Sequence, residues 1–375
     1  NLEFDRKDFK NSKQINFTYN KKDLKSANCF IITVPTPIDK LKKPDLKPLL
    51  AASKMIGELI KKDDLVIYES TVYPGCIEEE CVPILEKFSK LHFNKDFFCG
   101  YSPERINLGD KKHNIQNTIK ITAGSNPHIT DLVDKLYKTI IKAGTYKVKS
   151  IKIAEAAKVI ENTQRDLNIA FFNELSLLFN KMGLESKDVF DAASTKWNFH
   201  RFKPGLVGGH CIGVDPYYLT YLAQSIRFQP NIILAGRRVN DNMGSYVSSQ
   251  LIKNMTNKRI SINNSKILIM GFAFKENCPD IRNTGVYSIY RELVEYKCNV
   301  DIYDPYVSKS NVEKQYGISL ISKISKNKYD AVIIAVSHNK FKKTGIDKIK
   351  KYCKRNNSIF DVNHLFDKKN TDLRL

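Results

Sequence analysis

Residues 204–219 read PGLVGGHCIGVDPYYL. In this run one thiol, Cys211, stands among glycines at 205, 208, 209 and 213, with Asp215 four residues later. Glycine lets a backbone turn sharply and approach a ligand closely. A thiol in such a loop is a candidate nucleophile toward a carbonyl carbon. A tight turn that happens to contain a cysteine is the competing reading. Lys158 and Asn162 are four apart in a helical stretch, so their polar ends share a face. A cation beside an amide donor is what a developing oxyanion needs, although a helical lysine more often simply faces water. Residues 271–284, GFAFKENCPDIRNT, place Lys275 and Arg282 in a loop after a strand end. That suits phosphate contacts and equally suits ordinary surface charge.

Such residues need elements that hold them. Apolar runs at 29–34 (CFIITV), 65–69 and 96–101 alternate with helical stretches at 46–60 and 77–88. This βαβ rhythm predicts a parallel, doubly wound sheet. The three strands run into Pro35-Thr36-Pro37, Ser70-Thr71 and Ser102-Pro103-Glu104-Arg105, and ligands of such sheets bind beyond the carboxyl ends of the strands. Residues 154–182 carry apolar positions at helical spacing up to Gly183, which predicts one long helix. Ser186 is expected to cap a helix over 187–193, and 230–255 also reads as helix. A second α/β rhythm follows, with strands at 266–271, 300–303, 331–336 and 358–361, a helix at 285–296, and a short polar tail after Asn363. The expected domains are 1–150, 151–260 (all-α) and 261–375.

These segments, with VPTP at 34–37, ESTVYPG at 69–75 and SPER at 102–105, resemble the UDP-glucose/GDP-mannose dehydrogenase family from about residue 29 to 363. TKWNF at 195–199, ahead of the cysteine loop, is most similar to the branch acting on UDP-N-acetylhexosamines in bacterial surface-polysaccharide synthesis. The resemblance implies an α/β fold of two doubly wound Rossmann-like domains joined by a central long helix, in a homodimer, and the chain is expected to be cytoplasmic from its lack of a signal-peptide pattern. It implies oxidation of the C6 hydroxyl of a UDP-sugar to a carboxylate with NAD, through a Cys211 thiohemiacetal and thioester. Asp215, with Lys158 or through water, resembles the base. Lys158 and Asn162 match the groups that steady the oxyanion, and Thr71 and Glu104 match positions near the nicotinamide and the catalytic water. Pro35, Thr36, Thr71 and Arg282 match cofactor positions, and Lys158, Gly208 and Lys275 match substrate positions. A further family carboxylate falls at Leu108 here, so Glu104 is expected to act alone.

A dinucleotide fold opens with a strand and a GxGxxG turn that receives the pyrophosphate. Residues 1–28 contain no glycine, so the first βαβ unit is expected to be missing from the N-terminal domain. A fragment that dimerises and binds nucleotide sugar without turning it over is the alternative this raises.

The bulk numbers agree with a folded enzyme. The 375 residues are 42% hydrophobic and 27% charged, enough for two or three domains. No apolar run reaches the roughly 18 residues of a membrane span, and the first residues lack a signal-peptide pattern. The net charge is +21, but 49 of the 61 basic residues are lysines scattered along the chain. Base and phosphate reading favours arginine, so no nucleic-acid partner is expected. Eight cysteines occur without CxxC spacing; no metal site is expected, and most are expected to be small buried apolar residues.

Overall fold

The computed structural model describes residues 14–106 and 113–375. Leu108 and the first 13 residues lie outside them. The chain divides into two compact units: Asn1–Asn162 with Val214–Gln229, and Thr163–Gly213 with Pro230–Leu375.

Unit 1 is built on a sheet of β1 (Cys29–Ile32), β2 (Asp64–Tyr68), β3 (Phe97–Tyr101), β4 (Lys120–Gly124) and β5 (Thr145–Lys147), in that order. The first three are parallel, as the βαβ rhythm predicts, and so are β4 and β5. β4, however, runs antiparallel to β3. The connection from β3 carries no helix before β4 among the described residues, so nothing there supplies the crossover that a parallel neighbour requires. Helices α1 (Lys47–Gly57), α2 (Val82–Ser89) and α3 (Pro127–Lys138) complete the rhythm. The stretch at 77–88 is not one uniform helix: Ile77–Cys81 is wound as a wider π turn ahead of α2. Asn126 starts α3 by accepting the Ile129 N–H at 3.0 Å, with Pro127 as the first helical residue.

Helix α4 (Ile151–Lys181) is the long helix. The Ser150 hydroxyl accepts the Ile153 N–H at 3.3 Å at its start. At its end Gly183 takes φ +73°, and the Leu184 N–H returns to the Phe179 carbonyl at 2.9 Å, a glycine-terminated stop. Its residues to Asn162 belong to unit 1 and the rest to unit 2. Helix α5 (Ser186–Ala193) corrects one expectation. Ser186 is its first residue rather than its cap, and its hydroxyl instead donates to the Leu375 carbonyl at 2.7 Å. Helix α6 (Asp215–Ser225) belongs to unit 1, where Val214 and Tyr218 enter the core with Tyr68, Tyr101, Ile151 and Val159. Helix α7 (Asn231–Asn257) belongs to unit 2.

The unit 2 sheet has the order β10-β9-β8-β6-β7, all parallel, from β6 (Lys266–Met270), β7 (Asn299–Tyr303), β8 (Tyr329–Ile334), β9 (Cys353–Asp361) and β10 (Leu373–Arg374). Helix α8 (Val286–Glu295) packs on α7, and both bury apolar faces against β6 and β8. In the short tail after Asn363, Leu375 is fully buried and Arg374 pairs along β9.

Candidate active site

Each unit gathers part of the predicted constellation. In unit 1, Asp215 begins α6 and is buried. The Asn162 amide donates to its Oδ2 at 2.6 Å. Lys158, one turn earlier on α4, is buried as well rather than facing water. Burial raises the Asp215 carboxyl to about 6, against the opposing pull of the Lys158 charge and the Asn162 bond. A carboxylate that ionises close to neutrality is suited to take a proton in catalysis.

The strand ends of unit 1 are knitted together. The Thr36 hydroxyl donates to the Thr71 carbonyl at 2.6 Å, and Ser70 Oγ to the Val34 carbonyl at 2.7 Å. Tyr218 of α6 donates to the Thr36 carbonyl at 2.5 Å, which fixes the turn between exposed Pro35 and Pro37. In the SPER turn, Glu104 Oε1 accepts the Ile106 N–H, and Arg105 pairs with Glu161 at 2.7 Å.

Two further residues support these loops. Glu155, fully buried one turn before Lys158, accepts the Gly75 N–H at 2.5 Å and the Ile77 N–H at 3.0 Å. It thereby ties the segment after Thr71 to the helix that carries Lys158 and Asn162. Burial pushes its carboxyl up to about 7. Lys120, also buried, donates to the carbonyls of Ser102 and Pro103 at 3.1 Å each. In the sequence both look like ordinary surface charges. The only hint is that Glu155 lies three residues before Lys158.

In unit 2 the glycine-rich loop is held against the loop after β6. Gly209, at φ +83°, donates its N–H to the Arg282 carbonyl at 2.9 Å, and its carbonyl accepts the Asn283 amide at 3.1 Å. At Gly208 a Cβ would meet the Asn283 carbonyl at 2.8 Å and Phe274 Cβ at 2.9 Å, so only glycine fits the approach. Below, Asn173 of α4 brackets Gly205, accepting its N–H at 2.7 Å and donating to its carbonyl at 3.0 Å. Cys211 is half-buried, with Sγ 3.7 Å from His210 Nε2. It differs in this from the six buried cysteines 76, 81, 99, 278, 298 and 353.

Lys275 and Gly285 line a cavity of about 140 Å³ with Leu206, Phe274, Val336 and Asn363. The cavity lies beyond the carboxyl ends of β6 and β8, where the strand order reverses, the usual ligand position in an open α/β sheet. Arg282 turns its guanidinium onto Asp280, at 3.0 Å from Nε and 2.5 Å from Nη2. Burial opposes charge on Asp280, but the Arg282 bonds outweigh it and hold the carboxyl below its ordinary range.

Comparison with known proteins agrees with this architecture. Models of the NAD binding domain, central domain and UDP binding domain of the UDP-glucose/GDP-mannose dehydrogenase family match residues 3–141, 152–242 and 268–368. A UDP-N-acetyl-D-glucosamine 6-dehydrogenase of Pseudomonas aeruginosa is 57% identical, over 100% of this chain and 89% of that protein. One of Salmonella typhi is 53% identical over 100% and 88%. The solved UDP-D-ManNAc dehydrogenase of Pyrococcus horikoshii superposes with a TM-score of 0.85 at 29% identity, covering 95% of this chain and 82% of that one. The chain belongs to the UDP-glucose/GDP-mannose dehydrogenase family, as its motifs suggest. It is an NAD-dependent oxidoreductase that acts on the CH–OH group of a UDP-sugar. No helix among the described residues is long and apolar enough to cross a membrane.

Proposed function

We propose that this chain is a UDP-N-acetylhexosamine 6-dehydrogenase, with UDP-N-acetylglucosamine as its substrate, working in the cytoplasm in surface-polysaccharide synthesis. The cluster of buried Lys158 and Asp215 with half-buried Asn162 carries the chemical part of this reading. The similarity to two UDP-N-acetyl-D-glucosamine 6-dehydrogenases carries the choice of sugar.

Pro35, Thr36 and Thr71 at the strand ends of unit 1 would hold NAD+, with Arg282 as a further proposed cofactor contact, and the cofactor would supply the hydride acceptor twice in each turnover. The hydroxyls and carbonyls tied together there suit a polar ligand. Asp215, beside Lys158, takes the C6 hydroxyl proton as the alcohol becomes an aldehyde. Cys211, as thiolate, adds to the aldehyde carbon and forms the C–S bond of a thiohemiacetal. The second oxidation turns this into a thioester. Water, oriented by Glu104, breaks the C–S bond, releases the carboxylate and returns the thiol. Lys158 and Asn162 steady the oxyanion at each tetrahedral stage. The balance is one alcohol, two NAD+ and one water to one carboxylate, two NADH and three protons. Gly208 and Lys275 bind the nucleotide sugar.

The exposed Phe171 and Leu178 on α4 support a homodimer. Phe172 from the same crowded stretch is spent internally, against Phe190, Phe199 and Phe202.

A substrate panel read by NADH absorbance tests the proposal, using UDP-glucose and the UDP-N-acetyl derivatives of glucosamine, galactosamine and mannosamine. The highest kcat/KM is expected with UDP-N-acetylglucosamine, and a preference for UDP-glucose would overturn it. Binding of UDP-sugar with no NADH from any member would overturn it as well.

A further inference from the structure

The loops after β6, β7 and β8 converge on a buried pair that the proposed chemistry does not use. His338 and Asp304 both have fully buried side chains, with His338 Nε2 3.0 Å from Asp304 Oδ2. Asp304 Oδ2 also accepts the N–H groups of Phe272 at 2.6 Å and Ala273 at 3.0 Å. Its Oδ1 accepts those of Tyr306 at 2.8 Å and Val307 at 3.3 Å. On the other side of the ring, His338 Nδ1 accepts the Asn277 N–H at 2.9 Å. A backbone N–H only donates, so Nδ1 carries no proton here, and the ring proton sits on Nε2, facing Asp304.

Asn277 is itself in the left-handed region, at φ 56°, and its side-chain oxygen accepts the Asn339 N–H at 2.9 Å. The loop after β6 is thus pinned at both ends, at 272–273 by Asp304 and at 277 by His338. Between the pins lie Phe274 and Lys275, which line the cavity at the reversal of strand order. Lys275 Nζ sits 5.5 Å from the Phe274 ring centroid. A buried carboxylate is a poor way to gain stability, since the hydrogen bonds it accepts must first offset its desolvation. Fully satisfied, however, it specifies one arrangement of the backbone around it.

We propose that the Asp304–His338 pair is the positioning device of the nucleotide cleft, fixing the 272–277 loop so that Lys275 meets the diphosphate of the UDP-sugar. This rests on reading the cleft as the UDP site. His338 is a positioning residue: it acts through the backbone of Asn277.

Calorimetric titration with UDP alone tests it, alongside steady-state kinetics. His338→Phe keeps a ring but neither bond. His338→Gln reaches Asp304 but offers Asn277 no acceptor. His338→Asn places a carbonyl where Nδ1 stands. The Phe and Gln variants should bind UDP about tenfold more weakly, and the Asn variant should keep most of the affinity. KM for the nucleotide sugar should rise in step while kcat and the KM for NAD+ stay within about twofold. Folding of each variant is checked by its cooperative melt. The inference is overturned if the folded Phe and Gln variants bind UDP as the parent does, or if all three weaken in proportion to lost thermal stability. Lys275→Ala separates the two layers. If it leaves UDP affinity unchanged, the cleft reading itself fails. If it weakens UDP while His338→Gln does not, only the positioning inference fails.

Discussion

Replacing Asp215 by Asn should remove activity while making the fold progressively more favourable, relative to the parent, as pH rises. Burial moves this carboxyl from 3.8 to about 6 on folding. For an acid whose pKa is raised in the fold, the unfolded chain gives up its proton first. Stability is therefore complete below the unfolded value and is lost as pH climbs through the folded one. At about 1.36 kcal/mol per pH unit, a rise from 3.8 to about 6 amounts to about 3 kcal/mol, of which roughly half falls between pH 5 and 8. Asn does not titrate, so the variant should gain about that much on the parent over this interval. Urea unfolding of both proteins at pH 5, 6, 7 and 8 measures the difference. NADH production should fall by about 10²-fold or more, the usual worth of a general base. A stability difference flat with pH, or near-parental turnover by the variant, would refute the assignment.

Gly208→Ala should raise the KM for nucleotide sugar and cost about 1–3 kcal/mol in thermal unfolding, because its Cβ would press on the Asn283 carbonyl and Phe274. Unchanged kinetics and melting would show that the loop can give way. Glu155→Leu orphans the buried N–H groups of Gly75 and Ile77, at about 1–3 kcal/mol each. A urea midpoint equal to the parent's would exclude the clamp. Asp at Phe171 and Leu178 together should shift sedimentation from dimer to monomer, and an unshifted dimer would place the interface elsewhere.

Much of this was legible in the sequence where periodicity and punctuation carry the information. The long helix ended at Gly183 as its apolar spacing predicts, and the strand ends at 35–37, 70–71 and 102–105 fell at the carboxyl edge of the sheet. What escaped depends on partners distant in the chain. Strand β4, which the sequence reading did not single out, runs antiparallel to β3. Residues 214–229 belong to unit 1 because Tyr218 and Val214 fit its core, which local pattern does not reveal. Ser186 has the right type for a cap, yet a tertiary acceptor, the Leu375 carbonyl, takes its hydroxyl. Glu155, Lys120, Asp304 and His338 read as unremarkable polar positions until burial and backbone donors identify them as loop clamps. Resemblance to the family pointed to Asp215 as a base; only the structure shows the burial that brings its carboxyl to about 6.

In the proposed mechanism Cys211 carries the sugar through the second oxidation. The direct measurement is the ratio of NADH formed to uronic acid released from UDP-N-acetylglucosamine, for the parent and for Cys211→Ser, with intact-protein mass spectrometry under turnover. The parent should give two NADH per acid and carry a sugar adduct, and the variant should give no acid and no adduct. Full uronic acid production by Cys211→Ser, at two NADH per acid, would contradict it.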